Sequence, residues 1–287
     1  MFYKLLNAYT RQFSFPHRGL KYFLKTAKWL GISNKTYNKK LASNFYMQVN
    51  PSEHIQQQLF WYGHYEKEIG DLINEILQPD DFFLDIGANI GYFSLLAAIH
   101  QPSAKVISFE PVTTVFKLFE ENISLNNVSN IKTINAAVGE KDDEKEIYIS
   151  TDDNTGMSSF QKTENYSGKK EKVKVIAIDS WFRSSGLSKI DLVKIDIEGS
   201  ELSALKGMNE MLLNFKPLLI VEINPDTLRL FNHGSVDIIN YLKQLGFDGF
   251  LISKTGKLET TNKNLLQNAC NVLFIHNEKI KLYDHLF

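Results

Sequence analysis

Apolar positions along the chain follow two alternating periods. Continuous apolar runs at Phe82–Ile86, Lys105–Phe109, Ile131–Val138, Asp191–Ile197 and Pro217–Ile223 have the length and β-branched content of strands buried on both faces. Between them, apolar residues recur at three- and four-residue spacing: after Gly91, from Thr113 to Asn126, from Leu202 to Phe215 and from Val236 to Leu245. Strand and helix in alternation predict an α/β fold, a mostly parallel sheet with helices on both faces. Residues 52–77 carry a helical pattern of their own, with a break expected at Gly63-His64-Tyr65-Glu66. The rhythm fails over residues 140–172, where a charged run, strand-like Ile147–Ser150 and the polar Asn154-Thr155-Gly156-Met157-Ser158 predict a hairpin-like insertion. A strand resumes at Val173, and short strands at Phe250–Ile252 and Asn271–Ile275 complete the pattern.

Charge divides the chain. The formal net charge is −1, yet residues 1–50 hold seven Lys, two Arg and no acidic residue. Lysines and aromatics alternate with apolar residues between Leu20 and Ile32 and predict an amphipathic helix. Residues 1–50 are therefore expected as a basic, aromatic, helical extension of one large domain, residues 51–287. The extension has two readings: an arm packed on the acidic main domain, or a peripheral membrane contact. Cys270 is the single cysteine, which excludes an internal disulfide and fits a reducing cytoplasm. No apolar run reaches the roughly 20 residues of a membrane-spanning helix. Net charge near zero implies no nucleic-acid partner, and nothing here indicates the oligomeric state.

The candidate chemistry centres on Asp85-Ile86-Gly87-Ala88-Asn89-Ile90-Gly91, between the first strand and a helix. Glycines there let a ligand approach the backbone, and Asp85 at the strand end can accept from an ammonium group. Glu110 closes the second strand, where an acid accepts from ribose hydroxyls. Asn at position 89 breaks the dinucleotide fingerprint, which argues against a nicotinamide cofactor. A ribose partner and an ammonium partner without a phosphate cradle describe S-adenosylmethionine.

The ordered set D-I-G-A-N-I-G at 85–91, F-E-P at 109–111, N-A-A-V-G at 135–139 and V-K-I-D-I-E-G-S-E at 193–201 resembles the FkbM-type methyltransferases. That resemblance covers about residues 60–225. It implies a Rossmann-like, doubly wound sheet of seven strands with the last antiparallel, and O-methylation of a hydroxyl on a saccharide, glycolipid or other small metabolite. It also implies that Asp85, Gly87, Asn89 and Gly91 hold the methionine end and Glu110 the ribose. It further implies that Ala136 meets the adenine, that Asn135 adds a polar contact, and that Glu66 belongs to a segment that caps the cofactor.

Methyl transfer to an alcohol requires the acceptor oxygen in line and a base for its proton. Asp196 and Glu198 are the expected catalytic acids, placed on one face of a strand by period-two alternation. His64 is an alternative base. A divalent metal at Asp196, Glu222 and Asn224 would need an Asp-Asn pair where the chain has Glu222-Ile223-Asn224, so no metal is expected. The rival functions are a catalytically silent S-adenosylmethionine-binding protein and a nicotinamide-dependent oxidoreductase.

Overall fold

The computed structural model describes residues 31–32, 35–151, 155–162, 166–260 and 267–287. The amphipathic helix expected between Leu20 and Ile32 falls almost wholly outside them. What is described of residues 35–50 is not helical: β1 (Tyr37–Lys40) and β2 (Tyr46–Val49) form an antiparallel hairpin. Its turn and second strand bury Leu41, Phe45, Met47 and Val49 in the main core, so the packing shows no boundary at residue 50.

Helices α1 (His54–Tyr62) and α2 (Lys67–Ile76) follow, separated at the expected break, where Gly63 ends α1 in the left-handed region. Ile69, Leu72, Ile73 and Ile76 form the buried stripe of α2. The main sheet then starts with β3 (Phe82–Ile86), buried at every position, α3 (Tyr92–His100), β4 (Lys105–Phe109), α4 (Thr113–Ser124) and β5 (Ile131–Ile134). The third strand was expected to run to Val138. Instead it stops at Ile134, and β6 (Ala137–Val138) leaves for a separate three-stranded sheet with β7 (Asp143–Ser150) and β8 (Tyr166–Ile176). The antiparallel β7–β8 pair is the expected insertion.

After α5 (Ile178–Ser185), β9 (Leu192–Ile195) returns beside β3, on the side away from β4. Helices α6 (Glu201–Lys206) and α7 (Asn209–Phe215) lead to β10 (Leu218–Ile223), and α8 (Pro225–Leu230) and α9 (Ser235–Gln244) lead to β11 (Phe247–Ile252). β12 (Leu258–Thr260) and β13 (Cys270–His276) complete the strands, in the order β12-β11-β13-β10-β9-β3-β4-β5. β13 inserts antiparallel between β10 and β11, as expected of the last strand. The sheet has eight strands rather than seven because β12 pairs antiparallel with β11 at the edge, a contact too short to register as periodicity. Two apolar cores, one per face, cover it. The fold is Rossmann-like α/β, and strand order reverses between β3 and β9. In such sheets the crevice beyond the carboxyl ends at the reversal is the ligand site.

Candidate active site

A buried polar row crosses the sheet one layer below that crevice. Strand register sets Ser108 of β4, Asp85 of β3 and Lys194 of β9 side by side. Ser94, on α3, donates to Asp85 Oδ2 at 2.5 Å and lies 2.8 Å from the Ser108 hydroxyl. A lysine inside a sheet buried on both faces is strongly destabilising unless paired. Lys194 is 2% exposed, sits over the Phe93 ring and donates from Nζ to Asp196 Oδ2 at 3.0 Å. Burial alone would push its ammonium down; the carboxylates of Asp196, Asp85 and Glu66 outweigh burial and hold it above the ordinary lysine range. Asp85 is itself pushed up by burial, against the opposing effects of Lys194 and Ser94.

Two residues further along these three strands, the row emerges at the crevice as Glu110, Gly87 and Asp196, with Glu222 of β10 also lining it. Gly87 has φ of 83°, and a Cβ there would overlap the Asp196 carbonyl oxygen, so only glycine lets β3 turn this close to the end of β9. Glu110 secures the turn from the other side. Its carboxylate accepts from the backbone N–H of Asn89 at 3.0 Å and of Val112 at 2.8 Å. Burial pushes it up to about 7 even so. Asn89 takes the left-handed region, with φ of 51°.

Beyond β9 the strand alternation stops. Glu198 and Gly199 both have positive φ, and Glu201 Oε1 accepts from the N–H of Ile197 and of Gly199. The period-two expectation therefore ends at Ile195: Asp196, Ile197 and Glu198 all line the crevice, where Ile197 was expected to point away. Ser200 caps α6 without a side-chain bond, and Glu201 satisfies the loop instead.

These elements enclose a cavity of about 270 Å³. One half is an apolar slot that includes Phe109, Pro111, Val112, Val115, Ala136 and Val138. The other holds Tyr65, Lys194, Asp196, Glu198, Glu222 and Asn224. The insertion covers the mouth with Gly156 to Phe160; Ser159 donates to the Glu198 carbonyl at 3.1 Å, and Gly156 packs against Asn89 and Ile55.

Of the expected site residues, Gly87, Asn89, Glu110, Ala136, Asp196 and Glu198 line this cavity. Four do not. Asp85 lies in the layer below, bound to Ser94. Gly91 starts α3, and a Cβ there would overlap the Phe119 ring, so it is a packing glycine. Asn135 donates to the carbonyls of Glu110 and Pro111 and holds the strand end from outside. Glu66 stands behind Tyr65 and accepts from Asn271 Nδ2 at 3.2 Å, with Oε2 buried and unpartnered; burial pushes it up to about 7. His64 stays outside, and the cavity meets His54 instead. Lys194 and Tyr65 were missed. A lysine in the otherwise apolar run Leu192-Val193-Lys194-Ile195 was the available signal for the first.

Among the described residues, the cavity walls carry four carboxylates, Glu110, Asp196, Glu198 and Glu222, against one ammonium that is already paired. Glu198 is pushed up to about 8 by burial and then by Asp196 and Glu201. Glu222 is pushed up to about 10 by burial and by Asp196, Glu198, Glu201 and Glu66. Such walls suit a ligand bringing positive charge and oppose a pyrophosphate. Among the described residues, no group of three or more His, Cys, Asp or Glu is arranged to hold a metal ion, and no helix is long and apolar enough to cross a membrane.

The methyltransferase FkbM domain matches residues 85–248. Methyltransferase 1 of Beauveria bassiana is 23% identical over 202 residues, covering 64% of this chain and 80% of that protein. Hexuronic acid methyltransferase AglP of Haloferax volcanii is 29% identical over 169 residues, covering 55% of this chain and 62% of its own. The 2-O-methyltransferase NoeI of Sinorhizobium fredii is 22% identical over 154 residues, covering 49% and 63%. With the matched domain running from the glycine turn through β9 and β10 to β11, the chain belongs to the FkbM methyltransferase family.

Proposed function

We propose that this chain binds S-adenosylmethionine in the β3–β9 crevice and methylates a hydroxyl oxygen of a saccharide or similar polyhydroxylated acceptor. The observation that carries the reading is the combination of an apolar slot with carboxylate walls whose one ammonium is paired inside the protein. The slot suits an adenine ring, the Glu110 carboxylate suits ribose hydroxyls, and the acids suit a cationic sulfur and an ammonium. When bound, the cofactor supplies a methyl carbon activated by positively charged sulfur.

The chain's own residues have the remaining work. The Glu110 bonds to Asn89 and Val112 pre-set the turn before the ligand arrives. Asp85 acts one layer down, as a counter-charge for Lys194, and Lys194 fixes Asp196 at the carboxyl edge. Asp196 and Glu198 then face the acceptor side and orient its hydroxyl through charge-assisted hydrogen bonds. Ser158 and Ser159 on the insertion close over them and exclude water. The similarity to AglP, a hexuronic acid methyltransferase, and to NoeI, a 2-O-methyltransferase, supports an oxygen acceptor on a sugar.

Calorimetry with S-adenosylmethionine, S-adenosylhomocysteine and NADH tests the cofactor, and a methyl-transfer screen over glycan extracts tests the acceptor. Both S-adenosyl ligands should bind in the micromolar range, and NADH should not. Asp196→Asn should retain S-adenosylhomocysteine binding and lose turnover. Preference for NADH, or no S-adenosyl binding below about 1 mM (roughly −4 kcal/mol), would sink the reading.

A further inference from the structure

Not every acid of the crevice has work to do. Glu110 is held by two backbone N–H groups, Glu201 by two others, and Asp196 by Lys194. Glu198 and Glu222 line the cavity, and their carboxylates make no hydrogen bond or ion pair among the described residues. The two differ in what holds them. Glu198 sits on the loop after β9, at φ of 53°, with its carbonyl tied to the insertion through Ser159. Glu222 sits within β10, clamped between two paired strands: Val221 pairs with Ile195 on one side, and Glu222 itself is in register with Asn271 on the other. It is the rigidly placed carboxylate without a partner, beside Asp196 at the point of strand reversal.

Resting on the function proposed above, we infer that Glu222 receives the proton of the acceptor hydroxyl, so that this wall of the crevice exchanges the cofactor's positive charge for a proton and keeps its own charge balanced. In the step, the acceptor O–H bond breaks and its proton goes to the Glu222 carboxylate. The oxygen forms the new bond to the methyl carbon, and the electron pair of the breaking carbon–sulfur bond remains on sulfur as a neutral thioether. One positive charge is lost at the ligand and one negative charge is lost at Glu222.

The surroundings favour this exchange. Glu222 faces Asp196 and Glu198 from the end of β9, Glu201 from α6 and Glu66 from the start of α2. Tyr65 beside Glu66 and Cys270 on β13 feel its charge as well, and both are pushed up, mainly by burial. Lys194, which also lines the cavity, lies one layer down and is bound to Asp196. Burial and these like charges push Glu222 up and favour its protonated form until a cation arrives. A cationic ligand expels that proton and leaves the carboxylate ready to take another from the acceptor; the neutral product ligand lets the acid persist.

The test uses the full chain and two ligands that differ by one methyl group and one charge. Titration calorimetry of S-adenosylmethionine and S-adenosylhomocysteine, in buffers of different ionisation enthalpy near pH 8, counts protons released on binding. S-adenosylmethionine should release on the order of one proton more, and Glu222→Gln should erase that difference while both ligands still bind. In the wild type, which needs no variant to fold, the ratio of the two affinities should rise by up to about tenfold per pH unit and then level off. Equal proton release by the two ligands, a pH-independent ratio, or an unchanged difference in Glu222→Gln would overturn the assignment while leaving cofactor binding standing. Failure of both ligands to bind would remove the assignment together with the function it rests on.

Discussion

Lys194 in β9 and Asp196 just beyond its end form an ion pair, with the lysine 2% and the aspartate 26% exposed and 3.0 Å between Nζ and Oδ2. It couples the buried layer to the crevice, since Asp85 and Glu66 also lie within the field of the same ammonium. Lys194→Met should leave these carboxylates without a counter-charge and destabilise the fold by about 3–5 kcal/mol near pH 8. The deficit should shrink toward pH 5, where Glu66 and Asp85, both pushed up by burial, can take protons instead. In the wild type the ammonium is held above the ordinary lysine range, so its stabilisation is complete below that range and lost only as pH rises through the higher folded value. Urea denaturation of both forms at the two pH values checks this; equal stability at pH 8 would contradict it.

Glu110 acts in a lower pH window. Its folded value near 7 stands above the ordinary 4.5, so the folded chain holds a proton that the unfolded chain has lost between those values. Stability from this group falls as pH rises from 4.5 through 7, and Glu66 and Glu201, also near 7, add to the slope. Glu110→Gln should flatten the decline. Its single amide oxygen cannot accept from both Asn89 and Val112 N–H, so stability at pH 5 should drop by about 1–3 kcal/mol. S-adenosylhomocysteine should bind at least about tenfold more weakly, a loss of roughly 1.4 kcal/mol. Melting curves from pH 5 to 8 and calorimetry decide it.

The turn at 85–91 and the acid at 110 could be read from spacing because strand ends and glycine turns leave local marks. Depth could not. Asp85 and Gly87 share a strand face, yet one belongs to the buried row and the other to the cavity wall, and only the pairing of β3 with β9 decides which. Glu222 looked like one more strand-end acid until β13, from the far end of the chain, set Asn271 against it. The β1–β2 hairpin escaped notice because its four-residue strands lie in a stretch whose charge suggested a helix. β6 was hidden inside a run that looks like one strand with β5, and only its pairing with β8 separates them.

Gly87 and Gly91 look equivalent in sequence and differ in consequence. Both have positive φ, so alanine strains either. A Cβ at Gly87 meets the backbone of Asp196, inside the cavity wall, and cannot be relieved by a rotamer. At Gly91 it meets the Phe119 ring, away from the cavity. Gly91→Ala should lower stability by about 1–3 kcal/mol with S-adenosylhomocysteine affinity changed less than about threefold. Pairing it with Phe119→Leu should restore part of the loss. Gly87→Ala should weaken binding by more than about tenfold in whatever fraction folds. Calorimetry on folded protein separates the two, and similar binding losses would contradict the packing assignment of Gly91.

Asn122 joins the hairpin to the cofactor turn. It is fully buried on α4, donates from Nδ2 to the Ile90 carbonyl at 2.9 Å and accepts from the Gln48 N–H at 2.6 Å. One amide thus satisfies a carbonyl of the turn and an N–H of β2. Asn122→Ala strands both and should destabilise by about 2–4 kcal/mol. Asn126 makes a similar pair of bonds to Tyr46 at the exposed end of the same contact, where water can replace it, so Asn126→Ala should cost about 1 kcal/mol or less. Because the Ile90 carbonyl belongs to the turn, Asn122→Ala should also weaken S-adenosylhomocysteine binding, whereas Asn126→Ala should leave it unchanged. Urea denaturation with calorimetry on both variants tests the link. Equal stability losses, or intact binding in Asn122→Ala, would show that the hairpin is a passive cover and not part of what holds the turn.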